Sequence, residues 1–127
     1  VKFEHHPFPL DMAALNAEII LRCNVENDRI DFLGKIYEKQ NLWAVGSDIN
    51  KINDSLKKIG LEFNLKNEMM DNCLNNEMAQ DEILNERIDA QKKYKVESTP
   101  TIFINEKKYK GSISYKEFKK VLNKSIK

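Results

Sequence analysis

The 127-residue chain has no apolar run long enough to cross a bilayer as a helix. No stretch has the charged, apolar and small-residue order of a secretory signal. No internal repeat and no low-complexity segment is present, so repeat architectures and disordered linkers are out. Cysteine is scarce: Cys23 and Cys73 stand fifty positions apart, which leaves neither a Cys-x-x-Cys dithiol nor zinc-ligand spacing. Histidine is scarcer in effect, because His5 and His6 are adjacent. A regular strand points neighbours to opposite faces, so the two cannot share one ion, and they read as ordinary strand histidines. No metal site is expected.

What remains fits one domain with a substantial core: 41% hydrophobic and 32% charged residues. The chain opens on Val1, without an initiator methionine and partway through an expected strand, which suggests a processed or truncated product. Net charge is only +1, but it is uneven. Residues 101–127 hold eight lysines against Glu106 and Glu117, a local +6, which leaves −5 for residues 1–100. Such an end suits nucleic acid or an anionic membrane in some proteins. Here the lysines interleave with the apolar stripe of a helix, so a solvated face is expected and nucleic acid is not.

In chain order, Val1-Lys2-Phe3-Glu4-His5-His6 alternates, with Val1, Phe3 and His5 on one face of a half-buried strand that Pro7-Phe8-Pro9 stops. Asp11 caps a helix to about Cys23, with Met12, Leu15 and Ile19 on its stripe. Residues 24–28 are a polar break. Residues 29–40 form a helix turning Phe32, Leu33, Ile36 and Tyr37 inward, and residues 41–47 a loop anchored by Trp43. Ser47 or Asp48 caps a third helix, bearing Ile49, Ile52, Leu56 and Ile59 and stopped at Gly60. Asn64 caps a short fourth helix to Leu74 with Leu65, Met69 and Cys73. Residues 77–94 form the longest helix, with Ile83, Leu84, Ile88 and Tyr94 packed.

The stretch that organises the rest is Glu97-Ser98-Thr99-Pro100-Thr101, running into Ile102-Phe103-Ile104-Asn105. Proline is tolerated at the head of a strand, where no ladder N–H is needed. Residues 101–105 read as that strand, 105–107 as a turn and 108–111 as the return strand. Ser114-Tyr115-Lys116-Glu117 is a capping box, followed by Phe118, Val121, Leu122 and Ile126 at helical spacing. An all-helical bundle would explain the apolar stripes but not this hairpin, which needs a sheet or helix behind it.

Pro-strand-hairpin-helix is the closing half of a thioredoxin fold. The wording Ser98-Thr99-Pro100-Thr101-Ile102-Phe103-Ile104-Asn105, with Pro7-Phe8-Pro9-Leu10 at the other end, resembles the DsbA-like thiol–disulfide oxidoreductases over most of the chain. The resemblance implies an α/β thioredoxin fold with a helical insertion. Residues 1–10 would be a thioredoxin-fold strand, 11–94 the insertion and connecting helix, and 95–127 the proline loop, hairpin and C-terminal helix. The first strand and first helix, with the catalytic Cys-x-x-Cys, would lie upstream of these residues, leaving no catalytic thiol here. The vacated slot between residues 1–6 and 101–105 would be filled by the detached N-terminal piece, a swapped copy or an unobserved segment.

The same resemblance places Ser98, Thr99 and a cis Pro100 in the active-site groove, the Thr99 backbone pairing with an extended substrate. One departure stands out: Ile104-Asn105-Glu106-Lys107 replaces the family's Ile-Asn-Gly-Lys. Glutamate resists positive φ, so a turn other than the tight one is expected. From the residues alone, Cys23 and Cys73 are open to two readings, a staple between two helix ends or two buried free thiols. A second, non-catalytic disulfide in some DsbA-like proteins favours a Cys23–Cys73 bridge and an oxidising, periplasmic location. Implied partners are reduced or misfolded exported proteins and a membrane redox partner, with no cofactor. The rival reading is a redox-inactive thioredoxin-fold module that binds peptides at the proline loop. A glutathione-transferase-like enzyme ranks last, because its helical part follows the thioredoxin domain instead of interrupting it.

Overall fold

The computed structural model describes residues 2–24, 28–111 and 114–126. Val1 of the expected first strand and residues 25–27 of the expected polar break lie outside the described residues. The chain divides into two compact units, Pro7–Asp89 and Val1–His6 with Ala90–Lys127.

The first unit is helical: α1 Met12–Cys23, α2 Arg29–Glu38, α3 Gln40–Trp43, α4 Ile49–Glu62, α5 Asn67–Leu74 and most of α6 Glu77–Lys93. Three of them, α1, α4 and α6, begin where a short polar side chain serves an orphan amide. Asp11 accepts from the Ala14 N–H at 2.8 Å, Asp48 from Asn50 and Lys51, and Asn76 from Met78 and Ala79. The largest cluster surrounds Ile20, Phe32, Leu56 and Met70, all fully buried, with Phe63 edge-on to Phe32 at 4.7 Å. A smaller one joins Leu15 and Ile19 of α1 to Ile83 of α6. Cys23 and Cys73 are joined in a disulfide, Cα to Cα 6.1 Å, between the ends of α1 and α5.

Several expectations are corrected in this unit. Trp43 belongs to the helical turn α3 instead of a loop, and its indole N–H donates to the Ile36 carbonyl at 2.8 Å. Gly60 does not stop α4. It is buried inside the helix against the Met70 thioether, so it allows close approach, and the reversal falls on Asn64 at φ 65°. Asn64 therefore does not cap α5, whose N-cap is Lys66. Met70 with Cys73 and Leu74 faces the core, while Met69 is exposed. Met12 and Tyr37 are likewise exposed.

The second unit takes in the end of α6, a loop, β1 Phe103–Ile104, β2 Lys107–Lys108 and α7 Tyr115–Ile126. The strands pair antiparallel, Phe103 opposite Lys108 and Ile104 opposite Lys107, and the Tyr109 N–H extends the pairing to the Ile102 carbonyl at 2.7 Å. Each strand is shorter than its sequence pattern suggested. The turn is the tight one: Asn105 and Glu106 have φ of 49° and 69°, so glutamate takes the conformation it was expected to avoid. Ser114 accepts from the Glu117 N–H at 3.4 Å at the start of α7, and Phe118 meets Tyr109 edge-on at 5.4 Å.

The first strand is not formed: described residues 2–9 belong to no ladder, and Phe3 is exposed instead of half-buried. A strand without a ladder partner leaves its amides to water and gains nothing from extended geometry.

Two outcomes follow. The bridge closes a separation of 50 residues, so keeping it reduced should lower the unfolding free energy of residues 7–89 by about 4 kcal/mol on the chain-entropy account. Urea unfolding followed by Trp43 fluorescence, with and without reductant, checks this, and an unchanged midpoint refutes it. Glu106→Gly should relieve about 1 kcal/mol of left-handed strain in the hairpin. Hydrogen exchange at the Tyr109 amide should then slow about fivefold, whereas an unchanged rate would mean that Glu106 carries no such cost.

Candidate functional site

The candidate loop is built between two local restraints. After α6, Lys95 turns left-handed at φ 54°, and the Val96 N–H returns to the Ala90 carbonyl at 3.1 Å. The Lys108 ammonium donates to the Lys95 carbonyl at 2.9 Å, and Tyr94 packs edge-on against Phe103 at 5.9 Å. The hairpin thus holds the near end of the loop. At its far end the Thr101 hydroxyl donates to the Ser98 carbonyl, closing a short polar turn around Thr99 and Pro100. The Thr99–Pro100 peptide is cis.

Ser98, Thr99 and Pro100 are all exposed. Among the described residues, neither the backbone N–H and C=O of Thr99 nor its hydroxyl has a protein partner. An exposed loop with a free donor and a free acceptor on one residue can receive an extended peptide as a strand edge does. It contains hydroxyls but no thiol. Its neighbours Glu97 and Thr101 supply a charge and a hydroxyl but no thiol or imidazole.

The groups with displaced acidity lie elsewhere. A hydrogen bond from Lys2, 2.6 Å away, and another from His6 hold the Glu4 carboxyl below its usual range, and Glu4 raises Lys2 in return. In the helical unit, burial opposes the charge on Arg22, but hydrogen bonds to Glu86 and Glu18 outweigh it and raise its pKa.

The structure therefore gathers Ser98, Thr99 and Pro100 into one loop and uses Cys23 and Cys73 as a helix staple in the other unit. The chain has no free cysteine. Trp43 belongs to the core and Tyr109 packs on Phe118. The residues that the sequence reading missed are Thr101 and Lys108, which secure the loop. Thr101 had a visible signal, since a hydroxyl three residues after Ser98 is placed to bond its carbonyl. Lys108 had none, because its partner is thirteen positions away.

The family model described as thioredoxin matches residues 1–124. A search of curated proteins finds no match. Among solved structures, the chain is similar to the crystal structure of alpha-DsbA1 from Wolbachia pipientis, at 25% identity and a TM-score of 0.76. The match covers 92% of this chain and 64% of that one, so the chain spans less than two thirds of that protein's length. The chain belongs to the thioredoxin family, and its fold is DsbA-like.

Proposed function

We propose that this chain is the greater part of a protein thiol–disulfide oxidoreductase that forms or isomerises disulfides in exported proteins, in the bacterial periplasm. The observation that carries the reading is the exposed Ser98-Thr99-Pro100 loop, with the Thr99 backbone unpaired, in a chain of DsbA-like fold. In the complete protein, a substrate thiolate would attack the disulfide of a Cys-x-x-Cys pair outside these residues. A mixed disulfide forms and one cysteine leaves as thiolate. The substrate's second thiol then resolves it, so two electrons and two protons pass from substrate to enzyme. A membrane redox partner would reoxidise the pair, or a reductase would keep it reduced for isomerisation. The loop would hold the reacting segment alongside Thr99, and no cofactor enters the exchange. The open edge of β1 favours completion of the sheet by the missing N-terminal segment or by a swapped copy.

A second reading is favoured by one observation: both cysteines of the chain are committed to the Cys23–Cys73 bond. If the native protein has no further cysteines, the loop would serve a redox-inactive peptide-binding module.

The test is to express the complete reading frame and follow oxidation of a reduced two-cysteine peptide by mass spectrometry. Turnover through a mixed disulfide on a cysteine outside residues 1–127 is expected. Peptide binding without exchange would replace the first reading with the second. In an active protein the Thr99 hydroxyl would donate to the nucleophilic thiolate, so Thr99→Val should raise that thiol's pKa by roughly one unit. Peptide affinity should change little, since the pairing is through the backbone. Thiolate absorbance against pH reads the first effect, and an unshifted titration removes the hydroxyl from the mechanism.

A further inference from the structure

The two units carry opposite charge. Residues 1–6 and 90–127 hold twelve lysines against four glutamates, whereas residues 7–89 hold nine lysines and arginines against sixteen carboxylates. Part of the excess on the second unit lies on α7, where Lys116, Lys119, Lys120 and Lys124 are exposed on one element. Glu117 is its single carboxylate, 3.8 Å from the Lys120 ammonium.

We propose that α7 is a docking surface for anionic phospholipid, lying on the membrane in the plane of the headgroups. Charge complementarity selects a polyanion, and the flank of the helix selects which. Tyr115 and Ile126 are eleven positions apart, close to three full turns, so they share one side of α7 with Lys119 between them. They are 79% and 61% exposed, although the adjoining side of the helix turns Phe118 onto Tyr109. The Lys119 ammonium lies 5.7 Å from the centre of the Tyr115 ring. A tyrosine and an isoleucine on the edge of a lysine-rich face is the arrangement that enters the headgroup boundary, the rings and methyls below and the ammonium groups against phosphate. Nucleic acid or an acidic protein would use the lysines but has no need of Ile126. No helix among the described residues is long and apolar enough to cross a membrane, so attachment would be superficial and reversible. This proposal does not depend on the redox chemistry.

Flotation of the 127-residue chain with phosphatidylcholine vesicles, with and without phosphatidylglycerol, tests it. Binding should require phosphatidylglycerol and fall as salt rises. Each lysine close to such a surface contributes about fivefold in affinity. The variant combining Lys116→Gln, Lys119→Gln, Lys120→Gln and Lys124→Gln should therefore lose at least about tenfold. Ile126→Ser, at an exposed position, should weaken vesicle binding several-fold and leave the melting temperature unchanged. Equal binding to neutral vesicles, absence of binding at low salt, or indifference to Ile126→Ser would each overturn the proposal. So would equal retention by a DNA duplex, which would make the face a general polyanion site.

Discussion

Helix α1 has to be dry on nearly every side, and the helical unit is arranged around that requirement. Seven of its twelve residues are buried, including Asn16. Helices α2, α4 and α5 pack against it, and α6 adds Ile83 to Leu15 and Ile19. Burial on this scale forces each polar group on α1 to find a partner. The Asn16 amide donates to Asn53 at 2.9 Å, and Glu18 holds the Arg22 guanidinium, which also bonds Glu86 on α6. Removing one carboxylate would leave the half-buried cation under-compensated, at a greater cost than an exposed pair incurs. The disulfide then fixes the end of α1 to the end of α5.

The unit of residues 90–127 is held together differently. Every fully buried apolar side chain among the described residues lies in the helical unit. The hairpin has two residues per strand and relies on aromatic edges, Tyr94 on Phe103 and Tyr109 on Phe118, plus one backbone bond beyond the ladder. A two-stranded hairpin needs more than this to be stable by itself. Regions with few buried contacts open locally at low free energy. That places the Thr99 loop on the softer part of the molecule, restrained by Lys95, Thr101 and Lys108 instead of by a core.

What was legible in the sequence followed the range of the interactions. Asp11, Asp48 and Ser114 announce helix starts because a cap is made within three residues, and α1, α4 and α7 lie close to where they were expected. Periodicity placed Phe32 and Leu56 but confused Met69 with Met70, because adjacent positions differ by only one step around a helix and methionine suits either. Gly60 looks the same in sequence whether it ends a helix or admits a thioether, and only the position of Met70 decides. The strand over residues 1–6 depended on a ladder partner that no local pattern supplies. Ser98, Thr99 and Pro100 stand out in the sequence only through their wording, as resemblance, and the structure shows them exposed in one loop. Glu106 was misjudged because the two-residue connection between paired strands overrides the preference of a single residue for negative φ.

The placement of the cysteines bears directly on chemistry. A catalytic thiol of this family needs to be a thiolate near neutral pH, and a helix N-terminus lowers the pKa by offering unpaired N–H groups and the positive end of the dipole. Cys23 is the last residue of α1 and Cys73 the next to last of α5. Both lie at the C-terminal ends of their helices, away from the unpaired N–H groups of a helix N-terminus, and Cys23 is buried as well. The pair therefore lacks the helix N-terminal setting that activates a catalytic thiol. The properties that unfit it for catalysis suit it to hold α1 against α5 in the presence of exchanging thiols. On the oxidoreductase reading the two tasks are therefore separated: the Cys23–Cys73 disulfide ties two helices of the helical unit, and the loop at Thr99 would receive the substrate of a different pair.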